Sequence, residues 1–319
     1  VTDDKNDRPR HGIPRLMAGS ASSRIQSRVV KNTTRFKQLL SGPEILMIPG
    51  VADALGAKLA EKAGFEAVFL SGYSASATLL GAPDVGLLTM TEMVECARRI
   101  AGAVEIPVFA DGDNGHGNAT NVIRTMREFE RAGVAAVFIE DQVAPKRCGH
   151  MSGKQVIPID EMVSKIRAAV DARVDSDLSI MARTDALAVN GIEDAIERMQ
   201  RYLEAGADLS FVESPKSIDE MRRITQDIHA PNMANMVPGG RSPMLTARQL
   251  KELGFALVAY PTMLIYAIAR AGQRALSHLR QTETCAGFQE MMDFDEFNSL
   301  TGLEEIRVKE TLLYRGGDT

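Results

Sequence analysis

Several polar residues stand at the ends of short apolar runs in this chain. Asp111-Gly112-Asp113, Glu140-Asp141, Arg183-Thr184-Asp185 and Glu213 each follow such a run, and Asn235 lies within one. If folding brings these acids together, they cannot all stay ionised without protons or a cation. An oxygen-rich cluster of this kind suits a hard ion, so Mg²⁺ is the expected cofactor, with Mn²⁺ as a substitute. A single Asp after a strand usually caps a helix or forms a turn. Asp141 and Asp185 are best explained that way, whereas Asp111, Asp113 and Glu140 are better explained as a metal site. Arg183 beside a metal would grip a substrate carboxylate through its bidentate fork, or serve as an ion-pair partner within the fold.

A second group follows Glu140 in one loop, Asp141-Gln142-Val143-Ala144-Pro145-Lys146-Arg147-Cys148-Gly149-His150. Its polar, basic, glycine-containing composition predicts an exposed and mobile segment. Free cysteines are usually buried and inert. Arg147 and His150 flank Cys148, however, and positive neighbours lower a thiol pKa, so Cys148 is expected to be reactive. Cys96 and Cys285 fall in helical stretches and are read as packing residues, and His116 as a loop residue.

The elements that must position these groups show up as a repeat. Ala63-Gly64-Phe65, Ala132-Gly133-Val134, Ala205-Gly206-Ala207 and Leu253-Gly254-Phe255 each precede an apolar run. Glycine just past a helix supplies the left-handed residue that ends it. The runs at 67–70, 136–139, 209–212 and 256–260 then read as strands of a parallel sheet buried on both faces. Further strands fit at 45–48, 107–110, 178–182 and 232–236, with helical stretches such as Met162 to Ala172 and Ile192 to Ala205 between. Eight alternating units predict a closed (β/α)8 barrel of the TIM type, whose C-terminal strand ends meet on the face that holds active sites. A doubly wound sheet is the alternative, weakened because no G-x-G-x-x-G follows the first strand.

At 319 residues and 45% hydrophobic content, a single barrel with extensions is expected. We assign residues 1–32 to a disordered or targeting leader, 33–285 to the barrel and 286–319 to a C-terminal helical extension. The leader carries Arg8, Arg10, Arg15, Arg24 and Arg28 with several serines, a transit-peptide composition but a poor amphipathic pattern. The expected location is therefore the cytoplasm, or an organellar matrix if the leader is a targeting peptide. A net charge of −5 argues against a nucleic-acid partner. No apolar run approaches the roughly 18 residues of a membrane span, and three scattered cysteines suggest neither disulfides nor a zinc site.

Together these segments resemble the isocitrate lyase and phosphoenolpyruvate mutase superfamily. The Lys146-Arg147-Cys148-Gly149-His150 loop after Glu140-Asp141-Gln142 carries the most specific part of the likeness. Ser71-Gly72-Tyr73, Gly81-Ala82-Pro83-Asp84, Ala182-Arg183-Thr184-Asp185, Asn235-Met236 and Gly239-Gly240-Arg241-Ser242-Pro243 extend it from about Phe36 to Tyr266. The resemblance implies that Asp111 contacts Mg²⁺, that Asp113 and Glu140 hold it through water, and that Asp53 is a further acid near the metal. It implies that Ser71, Gly72, Tyr73, Arg183, Asn235 and Ser242 bind substrate carboxylates and that Glu213 lines the pocket. Cys148 becomes the general acid on a gating loop, and Tyr73 and Glu213 are both candidates for the base. A homotetramer, a dimer of dimers with a helix exchanged between subunits, is implied as well.

The reaction so implied is cleavage of the C2–C3 bond of a small 2-hydroxy di- or tricarboxylate, giving pyruvate or another 2-keto acid plus a carboxylate. Phosphonomutase chemistry on carboxyphosphonoenolpyruvate or phosphoenolpyruvate is the alternative. Oxaloacetate hydrolysis or decarboxylation ranks lower, because members that hydrolyse it tend to carry Ser where this chain has Pro261. A non-catalytic relative ranks lower still, since no acid and no Cys148 is lost. Members acting on 2-methylisocitrate usually show Ser-Gly-Gly and an Asn where this chain has Ser71-Gly72-Tyr73 and Asp53, which points to a 2-alkylmalate instead.

Overall fold

A computed structural model describes residues 30–314. Its eight parallel strands are β1 (Leu46–Val51), β2 (Val68–Leu70), β3 (Val108–Asp111), β4 (Ala136–Glu140), β5 (Ser179–Thr184), β6 (Leu209–Val212), β7 (Met233–Asn235) and β8 (Leu257–Tyr260). All eight coincide with runs expected from the sequence. The order around the sheet is β6-β5-β4-β3-β2-β1-β8-β7, and a parallel bridge between Ser210 and Asn232 brings β6 to β7, closing the (β/α)8 barrel. The strands β2 to β6 are buried at every position, because the barrel interior covers one face and helices cover the other.

The helices are α1 (Asn32–Leu40), α2 (Ala54–Lys62), α3 (Gly72–Leu80), α4 (Met90–Ala101), α5 (Ala119–Arg131), α6 (Ile159–Ala172), α7 (Ile192–Glu204), α8 (Ile218–Asp227), α9 (Ala247–Glu252), α10 (Met263–Thr282), α11 (Phe294–Thr301) and α12 (Leu303–Tyr314). Thr89, Asn118 and Thr246 start α4, α5 and α9 with reciprocal capping boxes. The repeated glycines 64, 133, 206 and 254 all have positive φ, as helix ends running into strands require. No described helix is long and apolar enough to cross a membrane.

Two apolar shells hold the barrel. The outer one packs α2 to α9 against the strands. The inner one stacks Leu46, Ile48, Phe69, Phe109, Phe138, Met181, Phe211, Met233 and Leu257 along the axis. Phe36 of α1 is fully buried in this inner shell, 6.1 Å from the Phe109 ring, and so plugs the N-terminal end. Thr33 and Thr34 tie α1 to Asp175 and Asp177, in the turn before β5. The expected leader lies outside the described residues except for its last positions, where Asn32 already opens α1. At the other end of the chain α10 buries none of its residues, and Phe294, Leu313 and Tyr314 of α11 and α12 are largely exposed.

Candidate active site

Side chains alternate in and out along a strand. Each inner-shell residue therefore predicts what stands two places further on, over the C-terminal mouth. Phe69 leads to Ser71, Phe109 to Asp111, Phe138 to Glu140, Met181 to Arg183, Phe211 to Glu213 and Met233 to Asn235. The rings of Phe69, Phe109, Phe138 and Phe211 make a floor with successive centroids 5.3, 5.9 and 6.1 Å apart. The Arg183 guanidinium lies over two of them, 5.5 Å from Phe138 and 5.1 Å from Phe211, a cation–π placement that fixes its plane. Above the floor is a cavity of about 210 Å³, below the roughly 300–1,000 Å³ of drug-sized sites. It suits a small metabolite.

One side of the cavity is acidic. Asp111 Oδ2 accepts the Gly72 N–H at 3.1 Å and Oδ1 accepts the Asp113 N–H at 2.9 Å. A Cβ on Gly72 would stand 2.6 Å from Asp111 Oδ2, so only glycine allows the approach. Burial, with the Asp113 charge beside it, pushes Asp111 up to about 7. Burial also raises Glu140 well above the usual carboxylate range, and neither Oε of Glu140 finds a hydrogen-bond partner among the described residues. Among those residues no three His, Cys, Asp or Glu side chains cage an ion by themselves. A destabilised Asp111 and a Glu140 that is ion-paired to Arg183 yet lacks a hydrogen-bond partner among the described residues fit an ion that keeps most of its waters and takes one or two protein carboxylates, as Mg²⁺ does. Asp113 is engaged differently: Lys146 Nζ sits 2.7 Å from its Oδ1 and 2.6 Å from Asp84 Oδ1. Burial pulls Lys146 down, but the charges of Asp113, Asp111 and Asp84 win and hold it well above its ordinary value.

The opposite side centres on Arg183. Its Nε lies 3.0 Å from Asp185 Oδ2 and 3.2 Å from Glu140 Oε2, and Nη2 lies 3.4 Å from Glu213 Oε2. Asn235 Nδ2 donates to Glu213 Oε2 at 3.1 Å, leaving Asn235 Oδ1 without a partner among the described residues. Two expected caps are corrected here. Asp141 is buried and accepts from Thr184 Oγ1, Tyr202 OH, Arg198 Nη1 and the Asp185 N–H. Asp185 makes no side-chain cap and is paired with Arg183 and Lys154 instead. Burial alone would raise Asp185, but these two cations hold it at about 2.

The 144–153 loop is folded down over the mouth, so Cys148, Gly149 and His150 line the cavity. Its neck is pinched by a bridge between Gln142 and Val156, and the Gln142 amide both donates to the Arg147 carbonyl and accepts from the Arg147 N–H. The expectation of a lowered Cys148 pKa is overturned. Burial pushes this thiol up to about 11. Arg147 turns outward to the Ser152 carbonyl, and burial lowers His150, which accepts the Arg241 N–H at Nδ1. Neither flanking residue therefore brings a positive charge to the sulfur.

Tyr73 lines the cavity too, its hydroxyl sharing a hydrogen bond with Tyr266 OH at 3.1 Å. That bond, followed by burial, raises its pKa and keeps it a phenol. Gly72, Asp113 and Glu140 reach the cavity only through Asp111 or Arg183, and Asp53 and Ser242 are also outside its lining. Asp53 is exposed, its Oδ1 accepting the Gly56 N–H at 2.7 Å as the N-cap of α2. Ser242 is buried but is not part of the lining. Sequence reasoning missed Asp84, Lys154 and Tyr266. Asp84 and Tyr266 lay inside or beside recognised segments, but only the fold shows that they turn inward.

Fold and site define a barrel enzyme whose acidic, loop-covered mouth calls for a divalent ion and an anionic small substrate. The phosphoenolpyruvate phosphomutase family matches residues 36–280. The chain belongs to this family and thus to the phosphoenolpyruvate mutase/isocitrate lyase superfamily. It is 49% identical to 2,3-dimethylmalate lyase of Eubacterium barkeri over 88% of this chain and 98% of that protein. It is 44% identical to the chloroplastic carboxyvinyl-carboxyphosphonate phosphorylmutase of Arabidopsis thaliana over 91% and 87%. A crystal structure of 2,3-dimethylmalate lyase superposes with a TM-score of 0.84 at 34% identity, covering 90% of this chain and 96% of that one.

Proposed function

We propose that this chain is a Mg²⁺-dependent carbon–carbon lyase that cleaves the C2–C3 bond of a short 2-alkylmalate, such as 2,3-dimethylmalate, to a 2-keto acid and a carboxylate. One observation carries the reading. Asp111, raised by burial, and a thiol kept protonated line one small cavity, and Arg183 on its wall pairs with a buried Glu140 whose oxygens lack hydrogen-bond partners among the described residues. Asp111, Asp113 and Glu140 would hold the ion. The bound ion supplies positive charge that favours ionisation of the substrate hydroxyl.

The chain's own groups do the rest. Arg183, Asn235 and Ser71 bind the substrate carboxylates. Tyr73, held as a phenol, orients by hydrogen bonding, so Glu213 is the group left to accept the hydroxyl proton. As the C2–C3 bond breaks, its electron pair passes to C3 and its carboxylate, while C2 becomes the keto carbon. Cys148 then gives its proton to C3, and the docked loop excludes the water that would compete. The Tyr73, Tyr266, Pro261 and Met151 walls favour alkyl substituents over a third carboxylate.

We further propose that the exposed apolar faces of α10, α11 and α12 exchange between subunits of a homotetramer, which light scattering of the full chain and of a chain ending before Met263 would test. To test the activity, the protein is incubated with Mg²⁺ and 2-alkylmalates, 2-methylisocitrate or oxaloacetate, and keto acid is measured. Release from a 2-alkylmalate is expected, and no keto acid from any of them overturns the reading. A ³¹P NMR assay with phosphonopyruvate and carboxyphosphonoenolpyruvate would reveal mutase activity, which the 44% relative keeps as the second reading.

A further inference from the structure

We propose that Lys154 is a positioning residue that latches the 144–153 loop shut by gripping the Gly149 carbonyl. The proposal takes from the lyase reading only the role of that loop as the gate carrying Cys148. Lys154 lies just past the loop and is 7% exposed. Its Nζ donates to the Gly149 carbonyl and to Asp185 Oδ1. Asp185 is anchored on the barrel: Arg183 donates to both its carboxylate oxygens, and its N–H donates to Asp141 Oδ1. Asp141 is in turn held by Thr184, Arg198 and Tyr202. Of the two acceptors around the Lys154 ammonium, one is therefore fixed to β5 and only the Gly149 carbonyl belongs to the gate.

A second donor, Ser214 Oγ, reaches the same carbonyl at 3.1 Å from a residue held at φ +59°. A non-glycine residue in that conformation is uncommon and marks a place where surrounding contacts dictate the backbone. Gly149 itself packs against Glu213 and Arg183 so closely that a Cβ would collide with both. The carbonyl lies between Cys148 and His150, so fixing it fixes the thiol over the cavity.

Burying an ammonium and a carboxylate carries a desolvation cost, and an apolar pair of similar volume often packs as well or better. What the charged pair adds here is a donor that is satisfied only when the loop is down. On opening, Lys154 keeps Asp185 but loses the Gly149 carbonyl, which biases the gate toward closure. Asp185 is shared between Lys154 and Arg183, so latch and carboxylate anchor stand in one ion cluster.

The test uses the chain's three cysteines as reporters. Wild type and Lys154→Met, which removes the charge at similar volume, are treated with iodoacetamide without substrate, and each cysteine's alkylation rate is read by mass spectrometry. A loosened gate exposes Cys148 and lets its thiol relax toward an ordinary pKa, both of which speed alkylation. We expect Cys148 to react about tenfold faster or more in the variant, with exposed Cys285 unchanged and buried Cys96 protected as in wild type. Turnover should show a fall in kcat with little change in KM. If Cys96 also becomes reactive, the variant has lost its fold, and Ser214→Ala decides instead, with a severalfold acceleration at Cys148 expected. Unchanged Cys148 reactivity in a folded Lys154→Met, or in Ser214→Ala where that variant decides, overturns the latch. The labelling needs no turnover, so absence of keto acid from the wild type would remove the lyase reading and leave this result standing.

Discussion

The two ends of the barrel are filled in opposite ways. At the N-terminal end Phe36 closes a column of apolar side chains. At the C-terminal end the same strands, two residues further on, carry Asp111, Glu140, Arg183 and Glu213 at low exposure, with both Glu140 oxygens lacking hydrogen-bond partners among the described residues. The first end gains from burial. The second bears the cost of buried charge, which a cation and an anionic substrate would relieve. Stability and chemistry are thus separated along one axis, as the alternation of side chains in a barrel permits.

Substitutions at the two ends should divide accordingly. The largest effect is expected at Asp111. Asp111→Asn should lower kcat/KM by about 10⁴, or roughly 5 kcal/mol at about 1.36 kcal/mol per decade. Metal-free unfolding in urea should meanwhile show equal or greater stability, since burial already penalises that charge. Phe36→Ala should do the reverse, costing about 3–5 kcal/mol of stability as an apolar cavity opens and changing kcat by less than about twofold below the melting transition. A large turnover loss in a folded Phe36→Ala would break the separation of the two ends.

Smaller effects sharpen the acidic end. Cys148→Ser should lose about 100-fold in turnover while calorimetry finds Mg²⁺ binding unaltered. Unaltered turnover would take the thiol out of the mechanism. The smallest effect is a pH dependence. Asp111, raised to about 7, must lose its proton to hold the ion. Mg²⁺ affinity should therefore fall about tenfold per pH unit below that value and level off above it. In the metal-free protein the sign is opposite. A carboxyl raised above its unfolded value of about 3.9 contributes stability at low pH, and this is lost as pH rises through about 7. Mg²⁺ affinity flat from pH 5 to 8 would remove Asp111 from the ion.

Much of the mouth was legible because strand ends are local signals. The Ala-Gly and Leu-Gly repeats marked where four helices stop, apolar runs between them gave the other four strands, and the acids after the strands followed. Burial is not local, and the errors lie there. Cys148 was placed between two basic neighbours in sequence, but Arg147 turns outward and buried His150 is lowered, so burial decides its pKa. Asp141 and Asp185 looked like caps, yet Tyr202, Arg198 and Lys154 reach them from 31 to 61 residues away. Asp53 carries the type of residue the resemblance called for, but its nearest unsatisfied donor is the Gly56 N–H of its own helix.

The central claim is metal-dependent cleavage of a carbon–carbon bond at the Asp111 end. The most direct measurement strips the protein with EDTA, adds back Mg²⁺, and follows 2,3-dimethylmalate by NMR. Pyruvate and propanoate should appear in equal amounts, only with the ion present and not with Asp111→Asn. Equal cleavage in EDTA, or conversion without pyruvate, would contradict it.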